Sequence, residues 1–182
     1  AWSRLLKSYA VTVFLGAFLL FQVQPLIGKC ILPWYGGAPA VWTTCLLFFQ
    51  LALVAGYAYA HTIVSVLSLK YQAIVHVCLI CLAVALLPIL PPETWKPVSS
   101  TAPTSSILQL LLFSIGGPYL VLASTAPLIQ SWFGQTHPDS SPYRLYALSN
   151  AASLLALLTY PFLVEHSLTL SSQSAVWTAA FV

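Results

Sequence analysis

Apolar residues run through this chain in long blocks, and polar residues gather at the joints between them. The blocks predict six helical segments: about Leu5–Ile27, Val41–Val66, Gln72–Leu90, Ser106–Ile129, Arg144–Val164, and a sixth from Ser171 to Val182. A helix needs about 20 apolar residues to cross the hydrocarbon core of a bilayer, and the first five segments hold about that many. The joints are rich in residues that stop helices. Leu32-Pro33-Trp34-Tyr35-Gly36-Gly37-Ala38-Pro39 separates the first two segments, Pro91-Pro92 ends the third, and a Pro-, Ser- and Thr-rich linker spans 92–105. No segment alternates apolar and polar residues with period two, which argues against a membrane barrel. The pattern predicts one all-α domain over 1–182, a polytopic membrane helix bundle with about six transmembrane helices. The sixth segment is too short to span as it stands and is expected to continue in a longer protein.

Composition agrees with the pattern. Among 182 residues, 59% are hydrophobic and 5% charged, with a net charge of +3. An ordinary soluble domain carries roughly 25% charged residues. So few charges cannot cover a soluble surface, which excludes a soluble enzyme, a disordered tail and a nucleic-acid binder. The charges that exist punctuate the spans: Arg4, Lys7, Lys29, Lys70, Glu93, Lys96, Asp139, Arg144 and Glu165. With a cytoplasmic N-terminus, Arg4, Lys7, Lys70 and Arg144 lie inside, and Lys29 and Lys96 lie outside with Glu93. That is the arrangement the positive-inside bias favours. Trp34, Trp42, Trp95, Trp132 and Trp177 fall near span ends, as an interfacial aromatic belt requires. Arg4 and Lys7 ahead of an apolar run resemble a signal peptide, but the run is too long and lacks a small-residue cleavage pattern. The first segment is expected to be retained.

Candidate chemistry is sparse. Cys78 and Cys81 have C-x-x-C spacing, but within an apolar span thiolates are disfavoured as zinc ligands. With Cys30 and Cys45 they read as small buried hydrophobes. His61 and His76 fall toward one side of the membrane; a structural hydrogen bond fits them better than axial haem ligation. Glu165 reads as a charge at headgroup level. No metal, cofactor or catalytic residue is assigned, and the chain does not read as an enzyme. The first span ends in Phe21-Gln22-Val23-Gln24-Pro25-Leu26-Ile27-Gly28-Lys29. A proline removes one helix hydrogen bond, and amides at membrane depth seek partners. Gln22, Gln24 and Lys29 therefore form the candidate polar site, with Gln50 and Asn150 as inward-facing neighbours. Ala52, Gly56 and Ala60 place small residues on one helical stripe suited to close helix packing.

Longer stretches carry a resemblance. Gln24-Pro25-Leu26-Ile27-Gly28-Lys29, Phe48-Phe49-Gln50 and Gly56-Tyr57-Ala58-Tyr59-Ala60-His61 form one series. Ser124-Thr125-Ala126-Pro127-Leu128-Ile129-Gln130-Ser131-Trp132-Phe133 and Ser141-Pro142-Tyr143-Arg144-Leu145-Tyr146-Ala147-Leu148-Ser149-Asn150 form another, and Tyr160-Pro161-Phe162-Leu163-Val164-Glu165 closes it. Together they resemble the N-terminal membrane region of bacterial spermidine-synthase-like proteins, a major-facilitator-type domain fused to a spermidine synthase. The resemblance implies a half-major-facilitator-like bundle in the bacterial inner membrane and an aminopropyltransferase-like domain outside these residues. The Gly/Asp/Arg-rich loop usual after the second major-facilitator helix is replaced here by Ser65-Val66-Leu67-Ser68-Leu69-Lys70. Two readings stay open. One is a transporter-like domain that moves a small polar or amine solute. The other is a non-catalytic accessory subunit packed among other membrane subunits. The partners expected are the lipid bilayer and other membrane subunits, not nucleic acid.

Overall fold

The computed structural model describes residues 2–97, 103–137 and 143–182, and among these every regular element is a helix. The 98–102 part of the expected linker, and Asp139, Ser141 and Pro142, lie outside the described residues. Helix α1 covers Trp2–Ile31 and runs through Pro25. The expected interruption at Pro25 is therefore corrected. One lost backbone bond is outweighed by what the extra turns bury: Leu26, Ile27 and Ile31 are all core residues beyond the proline. A 3₁₀ turn, Leu32–Tyr35, then closes on Gly36, whose N–H bonds the Leu32 carbonyl at a φ of 85°. Only glycine adopts that left-handed conformation without strain. Helix α2 (Pro39–Val66) starts on a proline, whose fixed φ suits a first helical position.

Helix α3 (Leu69–Ala85) stops short of the expected Leu90. Its 17 residues span about 25 Å, against about 30 Å of hydrocarbon. Pro88 is the physical reason, because a proline disfavours helical geometry in the residue before it. The apolar residues past the break serve the core instead, with Ile89 fully buried.

Next come α4 (Pro103–Leu111), a π-helical turn (Leu112–Gly116) and α5 (Gly117–Thr136), which form one continuous rod. The first residues of this rod overlap the expected linker, so 103–105 are helical rather than linker. Helix α6 (Tyr143–Thr159) continues through a second π turn (Tyr160–Val164) into α7 (Glu165–Ser167). The first π turn ends two residues before Pro118 and the second contains Pro161, and a proline cannot donate to the regular ladder. Helix α8 (Leu170–Phe181) is capped by the Thr169 hydroxyl, which accepts from the Ser172 N–H at 3.3 Å.

Among the described residues, four helices are long and apolar enough to cross a membrane: 6–35, 39–66, 104–136 and 143–167. The chain is thus a multi-pass, all-helical membrane protein. Of the six expected segments, α3 and α8 are helical but shorter than a full span. Helices α1 and α5 form the centre. Helix α1 packs on α5, α6 and α8, while α5 also packs on α2 and α3. Pairings give the directions. Gln24 meets Tyr119 while Tyr9 meets Phe133, so α1 and α5 are antiparallel. Gln22 meets Thr159 and Lys29 meets Glu165, so α1 and α6 are parallel. Lys7, Lys70 and Arg144 accordingly gather at one end of the bundle, and Lys29 and Glu165 at the other.

The small-residue stripe faces inward. Gly56 and Ala60 are buried and Ala52 is half-buried. A Cβ added at Gly56 would lie 2.5 Å from the Ala123 Cβ, so α2 and α5 touch almost backbone to backbone there. Large apolar side chains cover the opposite faces, including Leu47, Val54, Leu82, Leu158 and Phe162, all exposed. In a membrane these meet lipid or another protein rather than water.

Candidate functional site: polar groups between the helices

The Gln22 side chain lies between α1 and α6 and is 6% exposed. Its amide nitrogen donates to the Ala156 carbonyl at 2.8 Å and to the Thr159 hydroxyl oxygen at 3.0 Å. Both amide hydrogens are thereby engaged. Two residues further along α1, Gln24 faces α5 instead and donates to the Tyr119 hydroxyl at 3.0 Å. Tyr119 is fully buried and packs against Phe49 of α2 with ring centroids 5.2 Å apart. The two amides thus point to two different neighbours, as a rotation of about 100° per residue demands. Lys29, near the end of α1, pairs with Glu165 of α7 at 3.0 Å, with both side chains about two-fifths exposed. Both lie at a bundle end, where charge can reach headgroups and water.

The remaining candidates stand apart. Gln50 and Asn150 are exposed on α2 and α6, so they are not inward-facing neighbours of this set. The buried faces of α2 and α6 use Phe49, Gly56, Ala152 and Ala156 instead, which turns both amides outward. The candidate polar site is therefore a seam of three residues, each tied to a separate helix, with a cavity of about 150 Å³ beside it. That cavity is lined by Gln22 and by largely apolar residues of α1 and α8, among them Leu15, Leu26 and Trp177.

Several polar contacts escape sequence reasoning. Trp177, expected in an interfacial belt, is 3% exposed and donates its indole N–H to the Leu19 carbonyl at 3.0 Å. Tyr160 donates its hydroxyl to the Gln173 side-chain oxygen at 3.1 Å. Another group lies between α3 and α5: Trp132 donates to Gln72 at 2.7 Å, and His76 lies 3.4 Å from the Thr125 hydroxyl. The sequence signal for these was the presence of amides and indoles in apolar runs, but no spacing links residues so far apart in the chain. His61 and His76, which the sequence puts toward one side of the membrane, differ in burial: His76 is buried between α3 and α5, and His61 is exposed on α2. Close to His76 lies Tyr59, with rings 6.1 Å apart, and the Tyr59 hydroxyl and the His76 Nδ1 are buried without a hydrogen-bond partner among the described residues. Cys78 and Cys81 are exposed on α3, contrary to the buried thiols expected; Cys45 is buried. The helical faces of α3 explain this, because Gln72, His76 and Ala83 occupy its buried side. Among the described residues no cluster of His, Cys, Asp and Glu could hold a metal ion.

No protein-family model, curated protein or solved structure matches this chain.

Proposed function

We propose that this chain is a non-catalytic membrane domain whose role is structural, a helix bundle that packs with other membrane subunits in the bacterial inner membrane. The observation that carries this reading is the engagement of the candidate polar residues. Gln22, Gln24 and Lys29 each spend donors on a neighbouring helix, joining α1 to α6, α5 and α7. A solute site needs groups free to exchange partners; these act as glue between helices. The resemblance to the membrane region of spermidine-synthase-like proteins assigns catalysis to a domain outside these residues, while its major-facilitator-type character belongs to the transport reading. Positive residues at the α1, α3 and α6 starts favour a cytoplasmic N-terminus.

Transport of a small polar or amine solute is the second reading. One observation favours it: the buried Tyr59 hydroxyl and His76 Nδ1 have no hydrogen-bond partner among the described residues, and such groups are candidates for a wet path. One experiment separates the two. The purified chain is reconstituted in vesicles, and uptake of putrescine and spermidine is compared with that of empty vesicles. The structural reading predicts no uptake above the empty control and a lower melting temperature for Gln24→Leu. Uptake that Gln24→Leu or His76→Ala abolishes would overturn it.

A further inference from the structure

Two cavities lie side by side along α1 and share a wall. The cavity of about 150 Å³ beside Gln22 and a second of about 210 Å³ both touch Leu15, Leu19 and Ala180. On α1 their joint lining runs from Val11 to Leu26, about 22 Å of helix axis. Among the described residues no charged side chain lines either cavity, so an ionic solute would be left uncompensated there. The smaller cavity nevertheless has two polar groups in its wall. Gln22 and Gln173 both line it, and they are only 6% and 3% exposed. The Gln22 nitrogen spends both hydrogens on α6, which leaves its side-chain oxygen without a donor among the described residues. Gln173 accepts from Tyr160 with its oxygen and donates to the Leu168 carbonyl at 2.9 Å, which leaves one amide hydrogen over. A buried acceptor and a spare donor in an apolar wall are costly unless something answers them.

We propose that the paired cavities bind a lipid-soluble phenol, its hydroxylated ring in the smaller cavity against Gln22 and its apolar tail in the larger one. Size sets the ring, because about 150 Å³ of apolar space holds one benzene-sized molecule. Hydrogen bonding sets the hydroxyl, which donates to Gln22 Oε1 and has lone pairs for the spare Gln173 hydrogen. The second cavity sets the tail, since its lining is mostly aliphatic and continues from the first through Leu15, Leu19 and Ala180. A phospholipid acyl chain could occupy the same space, but it would leave both amides unanswered. Leu15 and Val176, which also line the smaller cavity, are exposed on the outside of the bundle, so the phenol enters from the lipid side. Such binding goes beyond the structural reading and leaves the contacts of Gln24 and Lys29 as they are.

The test irradiates the full chain in lipid nanodiscs with para-hexylphenol that carries a diazirine in its tail, and locates the adducts by mass spectrometry. Adducts should fall on the α1 and α8 residues of the two cavities, such as Leu15 and Ala180. Unlabelled para-hexylphenol should suppress them at about one-tenth of the concentration that para-hexylanisole needs, because the methyl ether has no hydrogen to donate. In Gln22→Leu the two competitors should become equal. Should that variant fail to fold, Ala180→Leu fills the shared wall without touching either amide and should reduce labelling at least about five-fold. Three results would overturn the proposal: equal competition by phenol and anisole in the native chain, which means apolar filling only; adducts confined to outward-facing residues such as Leu158 and Phe162; or labelling that neither variant changes. In each case a melting temperature still lowered by Gln24→Leu would leave the structural reading intact.

Discussion

Replacing Gly56 by alanine tests the closest contact in the bundle. The added Cβ would lie 2.5 Å from the Ala123 Cβ, 3.2 Å from the Ala123 carbonyl carbon and 3.3 Å from the Ser124 nitrogen. Relaxed contacts between carbon atoms fall at about 3.5–4.0 Å. Two of the three atoms are backbone and the third is a Cβ, so no side chain can rotate away, and α2 must move off α5 by about 1 Å to restore a relaxed separation. That movement strains the contacts on either side, Phe49 on Tyr119 toward one end and the Ala60–Leu128 cluster toward the other. Overpacking of a well-filled contact costs about 1–3 kcal/mol, and Gly56→Ala should fall within that range. Gly56→Leu should reach its upper end. Unfolding in mixed detergent and SDS micelles gives the free energy, with melting of the detergent-solubilised chain as a second readout. The decisive experiment is the double variant. Ala123→Gly removes the Cβ that the new methyl group strikes, so Gly56→Ala combined with Ala123→Gly should recover most of the loss. Stability unchanged by Gly56→Ala, or a loss that Ala123→Gly does not reverse, would refute the close crossing of α2 and α5.

Three further outcomes follow from the same contacts. Gln22→Leu removes two hydrogen bonds between α1 and α6 and should lower stability by about 1–2 kcal/mol, the range of such bonds within membranes, as read by SDS titration. Glu165→Gln should cost no more than about 1 kcal/mol, because a half-exposed pair is worth little, and 1 M salt should shrink the difference. Cysteines introduced at Lys70 and Lys96, in a chain whose own four cysteines are replaced, should label from opposite sides of the membrane, with position 96 reached from outside the cell.

The helical class and most span positions were legible because hydrophobic length is a local property of sequence. Val41–Val66 and Arg144–Val164 fall within two or three residues of the helices seen, Pro39–Val66 and Tyr143–Ser167. Proline was the uneven signal. At Pro88 the helix stops, at Pro118 and Pro161 it widens into π turns, and at Pro25 it passes unbroken. What decides among these outcomes is the tertiary return on continuing: past Pro25 lie buried Leu26, Ile27 and Ile31, while past Pro88 further prolines follow. The polar residues divide for a similar reason. Gln22, Gln24, Gln50 and Asn150 look alike in the sequence, each an amide in an apolar run. Which of them faces inward depends on the rotation of its helix against neighbours more than 90 residues away, as Gln24 on Tyr119 and Gln22 on Thr159 illustrate. The stripe Ala52, Gly56 and Ala60 escapes that dependence, because small residues at every fourth position mark one face of a helix for close packing whatever its partner, and on α2 that face meets α5 at Ala123. With that stripe turned toward α5, Gln50 is left on an exposed side of α2.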